Sequence, residues 1–415
     1  MKAMIFAAGF GTRLRPLTDS MPKALVPVAG VPMLERVIMK LQAAGFSEFV
    51  VNAHHFSEQI CDFVEARGSF GADVKISVEQ EAALETGGGI KRASQLLRGG
   101  RFLVHNVDIL SDLDVKWFLS QDDASSLATL LLVDKEADRY LLFDDEMRLV
   151  GWTNVRTGEV KSPYPDLDVA ACRRYSFCGV HIMSEEVLGL MEDWPESFSI
   201  IDFYLQNAAE HCIRGVLCPE LNLIDIGSPE KLARANVMEF LSAHDFSYEI
   251  YEHPPLFTID EALEYWKKID ESHTDGTGPL HCKNLFFRNH KGNRHYLVSF
   301  DCHKNLDIHS LEHMLHQGKL SFASEERMWR CLGLRPGSVS LFGLIKDMDC
   351  SDANPKELFD NGHRVKFFFD SDLLEAPAVS FHPCDNTATV VISQDEFKRF
   401  LELWGGEWET LEIGE

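Results

Sequence analysis

Short apolar runs alternate with segments of helical apolar spacing through the first half of the chain. Residues 2–9, KAMIFAAG, read as a buried strand ending in glycine. In residues 33–45 the apolar positions Leu34, Val37, Ile38 and Leu41 recur at helical intervals, and Gly45 stops the run. Residues 48–53 form the next strand. Residues 57–68 are a helix with Ser57 as its cap and Gly68 as its stop. Residues 74–79 and 101–110 read as a third and a fourth strand. This alternation predicts a largely parallel sheet covered on both faces. It continues through 127–133 and 176–183 to 221–244, where a strand runs into a helix that starts near Pro229 and carries the chain out of the first domain.

From about Tyr248 the pattern changes. A strand, a Pro-Pro break and a helix precede several short, phenylalanine-rich strands, among them NLFFRN, HYLVSF, SVSLFGLI, VKFFFD and TATVVI. This is the pattern of a mixed α+β domain. The boundary is expected between Ala235 and Asp245, giving an α/β domain over 1–240 and an α+β domain over 245–415. No internal repeat or low-complexity tract interrupts either part.

The 415 residues exceed what one hydrophobic core usually serves, so the length predicts two or three domains. The formal net charge of −25 divides at Asn236 into −11 and −14. Neither part is a basic nucleic-acid domain, and any polyanionic ligand needs a local cationic pocket. The ten cysteines include no Cys-x-x-Cys pair, which argues against both a disulfide framework and a zinc ribbon. The apolar run 3–8 is too short for a signal peptide, and no run is long enough to span a membrane. A cytoplasmic protein is expected. The oligomeric state is left open.

Against this acidic background the stretch GFGTRLRPLTDSMPK, residues 9–23, concentrates glycines and cations directly after a strand. It is not a dinucleotide fingerprint, which needs glycine where Leu14 stands, and it lacks the Gly-Lys-Ser/Thr of a Walker loop. Glycines let backbone N–H groups approach phosphate oxygens, and Arg13 and Lys23 can neutralise a triphosphate. Asp108, in HNVDIL, and Asp225, in LIDIGSPEKL, each close a strand, the usual ligand position in open α/β sheets. Together the two carboxylates can share one hard divalent cation.

The string G-x-G-T-R-L-x-P-L-T followed by P-K resembles the signature of the sugar-1-phosphate nucleotidyltransferases. LETGGGI, residues 84–90, resembles that family's second loop, which contacts base and ribose. The likeness covers about residues 1–240 and looks most like the branch with N-acetylmuramate-1-phosphate uridylyltransferases and mannose-1-phosphate guanylyltransferases. It implies a Rossmann-like, GT-A-like mixed sheet with helices on both faces. It also implies Mg²⁺-dependent transfer of a nucleotidyl group from UTP or GTP to a sugar 1-phosphate, with release of pyrophosphate. By the same resemblance Arg13 and Lys23 are catalytic, and Asp108 and Asp225 hold Mg²⁺. Ala8, Gly9, Gly11, Thr12, Gly87, Gly88 and Asn106 hold the nucleotide. Val107 departs from the glycine common before the metal aspartate and adds a side chain near the substrate. The segment 198–205, FSIIDFYL, reads as core.

In the second domain, CKNLFFRN, SFASEERM, LGLRPGSVSLFGL and FHPCDNTAT follow one another in an order that resembles the freestanding prolyl-tRNA editing proteins, the YbaK-like aminoacyl-tRNA deacylases. The likeness covers about residues 245–413. It implies hydrolysis of a mischarged aminoacyl ester, typically alanine on a proline tRNA. Lys283 would contact the terminal phosphate or the ester, with Asn284 beside it. The Gly343 loop would read the aminoacyl group, and His382, just before a strand, would line the pocket. Leu341 and Lys346 depart from the family pattern, and an acidic stretch, 349–364, is additional. A net charge of −14 fits poorly with tRNA, so an inactive or repurposed aminoacyl-binding module remains open. A second overall reading makes the chain a tRNA quality-control factor whose first domain is a scaffold. His309, His313 and His316 share a helical face, read as solvated rather than metal-binding.

Overall fold

The computed structural model describes residues 1–80, 83–256, 258–273, 278–316 and 318–414. They form two compact units, Met1–Gly227 and Ser228–Glu415.

In the first unit β1 (Lys2–Phe6), β2 (Glu48–Ala53), β3 (Asp73–Val78) and β4 (Phe102–Asn106) run parallel in the order β4-β1-β2-β3. Their apolar residues pack against α1 (Met33–Ala43), α2 (Ser57–Ala66), α3 (Glu85–Arg92) and α4 (Ile200–Asn207). One such cluster joins Met4, Val50 and Val104 of the strands to Ile90 of α3 and Phe203 of α4. The chain then adds β5 (Ile109–Ser111), β6 (Ala128–Val133), β7 (Arg139–Phe143), β8 (Leu149–Asn154), β9 (Glu159–Lys161), β10 (Arg173–Met183), β11 (Ile213–Leu217) and β12 (Leu223–Asp225). The long strand β10 lies antiparallel to β4, β6 and β7 and makes the ten-stranded sheet mixed.

Two local expectations fail here for identifiable reasons. Residues 101–110 are not one strand. The chain leaves the sheet after Asn106, and β5 pairs instead with β12 in a separate ribbon. Ser57 is the first residue of α2 rather than its cap. Phe56, in the left-handed region at φ 54°, makes the turn into the helix.

The second unit opens with α5 (Pro229–Ala243). Ser228 accepts the Lys231 amide, and Val237, Phe240 and Leu241 enter this unit's core. The helix expected to carry the chain out of the first domain therefore begins the second unit. Next come β13 (Tyr248–Glu252), α6 (Ile259–Ser272), β14 (Leu280–Asn289), β15 (His295–Asp301), β16 (Leu320–Phe322) and α7 (Glu325–Leu332). The chain continues with β17 (Val365–Asp370), β18 (Ala378–Phe381), β19 (Ala388–Ser393), α8 (Gln394–Trp404) and β20 (Trp408–Leu411). The eight-stranded sheet runs β13-β19-β18-β14-β15-β17-β20, with β16 on β14. SVSLFGLI, expected as a strand, instead makes a 3-10 turn over Leu341–Gly343 and a short helix, Leu344–Asp347. The turn buries Leu341 and Phe342 in the core, which two-residue alternation would not allow. His309 and His313 are exposed on one short helix, and exposed His316 lies just past its end, as a solvated face requires.

The additional stretch 349–364 is tied down by one buried carboxylate. Asp347 accepts from the Arg364 amide at 2.8 Å, from His363 Nδ1 at 3.1 Å and from Trp404 Nε1 at 3.2 Å. Arg364, itself buried, pairs with Asp352. Removing the carboxylate strands these donors. Asp347→Ala is expected to cost roughly 3 kcal/mol, as unpaired buried donors do. Urea unfolding followed by fluorescence should show a lower midpoint, and an unchanged midpoint would refute the anchoring role.

Candidate active sites

The parallel strands β1 to β4 all end on one edge, and Phe6, Asn52, Glu79 and Asn106, at or beside their ends, line a cleft of about 440 Å³. The loop after β1 is pinned at its base. Ala7 donates to the Asn52 carbonyl at 2.9 Å, and Val107 donates to the Phe6 carbonyl at 3.1 Å. Thr18 Oγ1 donates to the Gly11 carbonyl at 2.8 Å. Gly11 has φ +63°, and a side chain there would meet Thr18 Cγ2 at 2.8 Å. Both the backbone shape and the close approach call for glycine.

Ala8, Gly9, Gly11, Thr12, Arg13, Lys23, Asn106, Val107 and Asp108 all line this cleft. Lys23 pairs directly with Asp108, both largely buried. Asp225 reaches the same place through the ribbon: it lies opposite Ile109, and Ile226 donates to the Asp108 carbonyl at 2.8 Å. A methyl at Gly227 would lie 2.8 Å from Arg13 Nη2 and 3.1 Å from Asp225 Oδ1, so guanidinium and carboxylate flank one glycine. Arg13, Lys23 and Asp108 thus line the cleft, and Asp225, outside its lining, stands beside it across Gly227. Two carboxylates beside a cleft of this size are a donor set that suits a hard divalent cation. The ammonium of Lys23 on Asp108 shows that this carboxylate already takes a cationic partner.

Gly87 and Gly88 do not behave as expected. They sit inside α3, buried, and do not line the cleft. Both donate to the Phe198 carbonyl, at 2.9 and 3.3 Å. A methyl on Gly87 would overlap the Phe198 ring, and one on Gly88 would overlap the Glu196 carbonyl oxygen. The close approach that these glycines permit is to the chain's own segment 196–198. Their neighbours Glu85 and Thr86 face the cleft instead.

Glu79 and Asn52 were missed. Glu79 is buried at the cleft, accepts from Asn52 Nδ2 at 2.7 Å and from the Leu84 amide at 2.8 Å, and so ties Leu84, at the start of α3, to the cleft. The available signal was a polar residue at the end of each of two apolar strands.

The second unit holds a cavity of about 490 Å³. Lys283, Asn284 and His382 line it, together with Trp266, Cys282, Phe322 and Ser380. Asn284 Oδ1 accepts from Ser299 Oγ at 2.6 Å. His382 follows β18 rather than directly preceding a strand. Burial pushes its pKa down to about 4, which leaves it neutral near pH 7. Gly343 is not at the cavity. It packs in the core, where a methyl would meet Leu334 at 2.8 Å, and Gly337 supplies the glycine of the lining.

Comparison with known proteins matches residues 2–140 to the nucleotidyl transferase family and residues 253–400 to the aminoacyl-tRNA editing domain. An N-acetylmuramate alpha-1-phosphate uridylyltransferase from Caulobacter vibrioides is 33% identical over 238 residues, which cover 56% of this chain and 94% of that protein. The prolyl-tRNA editing protein ProX from Acetoanaerobium sticklandii is 33% identical over 181 residues, covering 44% of this chain and 98% of that protein. The chain belongs to both families. A crystal structure provisionally assigned as a glucose-1-phosphate thymidylyltransferase from Bacillus anthracis matches with a TM-score of 0.50 at 18% identity, over 57% of this chain and 94% of that one. It shows the nucleotidyltransferase fold. The first unit is thus a sugar-1-phosphate nucleotidyltransferase-like domain and the second an aminoacyl-tRNA editing-like domain.

The packing of α3 is directly testable. Gly88→Ala is expected to destabilise by about 1–3 kcal/mol, the usual cost of overpacking. Gly9→Ala, with nothing within 4 Å of the added methyl, should leave the melting temperature unchanged. Equal melting temperatures for the two variants would refute the close approach of α3 to segment 196–198.

Proposed function

We propose that the first unit transfers a uridylyl group from UTP to a sugar 1-phosphate of the N-acetylmuramate kind, dependent on Mg²⁺ and releasing pyrophosphate. The gathering of Arg13, Lys23 and Asp108 in one cleft, with Asp225 beside it, carries this reading, and the name of the Caulobacter relative supports the choice of substrates. In the reaction a phosphate oxygen of the sugar 1-phosphate attacks the α-phosphorus, and the bond to pyrophosphate breaks. The work of the protein is orientation and charge. The loop 8–12 offers backbone N–H groups to the phosphates, Arg13 takes charge developing on the leaving pyrophosphate, and Lys23 holds the phosphates beside Asp108. Asp108 and Asp225 would hold Mg²⁺, which supplies charge withdrawal from the phosphate oxygens when bound.

We further propose that the second unit hydrolyses the ester of a mischarged aminoacyl-tRNA, alanine on a proline tRNA, with Lys283 contacting phosphate or ester and His382 lining the pocket as a neutral imidazole. Support comes from the 490 Å³ cavity that Lys283, Asn284 and His382 share, and from the likeness to ProX. The complete cluster in the first cleft weighs against reading that unit as a mere scaffold. We assign both activities to the cytoplasm, where UTP and charged tRNA occur. No helix among the described residues is long and apolar enough to cross a membrane.

Purified protein with Mg²⁺ should release pyrophosphate from UTP and N-acetylmuramate 1-phosphate in a panel that includes GTP and mannose 1-phosphate. Asp108→Asn should lower kcat on the order of 10²-fold. No release from any pair, or full activity in the variant, would sink the proposal. Alanyl-tRNA specific for proline should be deacylated, and Lys283→Ala should slow this at least tenfold. A variant as fast as wild type would remove Lys283 from the mechanism.

A further inference from the structure

The editing cavity follows a stretch of β14 that has a neighbouring strand on one edge only. β15 takes that edge. On the other, β18 pairs with β14 over two rungs, Leu280 with Val379 and His281 with Ser380, and then parts from it. β16 joins further along, where Phe287 stands opposite Phe322. The five residues between, Cys282 to Phe286, all line the cavity. The rung of His281 and Ser380 therefore stands at the head of the cavity, and the rung of Phe287 and Phe322 at its other end.

The two ends differ in exposure. His281 and Ser380 are buried, whereas Phe322 lines the cavity and is still 57% exposed, which puts it at the mouth. Among the described lining residues it is the one large apolar side chain that is exposed. Its ring is held from behind. Fully buried Phe287 stacks on it, with centroids 4.8 Å apart and planes at 23°. The exposure belongs to what remains, the outer face and edge. A lone exposed apolar side chain needs no explanation, but this one shares a face with a cation. Phe322 points to the same side of the sheet as Phe287, its partner in the rung, and Lys283, four residues earlier on β14, points there too. The charges on the other flank are negative. Ser324 caps α7, and exposed Glu325 and Glu326 begin it. Those carboxylates repel phosphate at the mouth, whereas an uncharged flat ring does not meet that repulsion.

We propose that Phe322 is the stacking platform for the terminal base of the RNA that carries the ester. The proposal rests on the hydrolytic reading of this cavity, which supplies the RNA. With the ester and its phosphate towards Lys283, the base comes to the mouth and lies on the outer face of Phe322. Phe287 keeps the platform from tilting away. Stacking asks only for a flat π-face, so the contact adds affinity without choosing a sequence. It also gives an acidic unit a hold on RNA that does not depend on phosphate contacts, which its carboxylates would oppose. Phe322 is thus a binding residue, apart from the chemistry at the ester.

The test uses the full-length protein and a proline tRNA whose terminal adenine is replaced by 2-aminopurine, a base whose fluorescence falls when it stacks. Wild type should quench the probe, and so should Phe322→Trp. Phe322→Leu, which keeps an apolar contact and removes the π-face, should not. In deacylation of alanyl-tRNA, Phe322→Leu should raise KM between about 5-fold and 100-fold, the loss of one base–aromatic stack, with kcat within twofold and an unchanged melting temperature. The platform is overturned if wild type does not quench, if Phe322→Leu quenches as well as wild type, or if its KM is unchanged. In each of these cases a wild type that deacylates leaves the hydrolytic reading standing. If wild type deacylates nothing, that reading fails. Quenching then decides the platform alone: its loss in Phe322→Leu and return in Phe322→Trp uphold it, and any other pattern ends it.

Discussion

A single backbone hydrogen bond, from Ile226 to the Asp108 carbonyl, closes the chemistry of the first unit. It completes the ribbon of β5 and β12 and brings together two aspartates 117 residues apart in sequence. Two carboxylates at one point repel each other unless cations answer them. Lys23 answers at Asp108, and Arg13 stands across Gly227 from Asp225. In a chain with net charge −25, Arg13 and Lys23 bring positive charge to a cleft that Glu79, Glu85 and Asp108 also line.

Much of this was legible in the chain itself. Apolar periodicity marked the parallel strands and α1, and the G-x-G-T-R string marked the loop that lines the cleft. Local pattern could not show where the chain leaves a sheet. Residues 101–110 look continuous because Val107 and Ile109 are as apolar as the strand before them, and only the pairing with β12 divides them. Gly87 and Gly88 permit a close approach, but a glycine does not say what approaches it. Here the neighbour is Phe198, a residue already read as core. Gly343 shows the same ambiguity in the second unit, where the turn over Leu341–Gly343 sends the glycine into packing. Glu79 and Asn52 were hidden because one polar residue at a strand end is unremarkable in sequence.

The second unit depends on a different device. Its sheet is closed on most edges by long pairings, yet β14 and β18 share two rungs only. The residues before the split are backbone-paired across it, and those beyond it face a cavity. Ser380 belongs to the paired rung and still reaches the cavity, whereas His382 belongs to the parted segment.

That arrangement has a bearing on selectivity. The head of the cavity is bounded by strands held in a ladder. For an acyl group that reached this rung, turning a lining side chain aside would not deepen the cavity. It could enter further only by unzipping another rung, breaking hydrogen bonds that support the rest of the sheet. Discrimination by size would then be enforced by the sheet as a whole and would tighten as the sheet is stabilised.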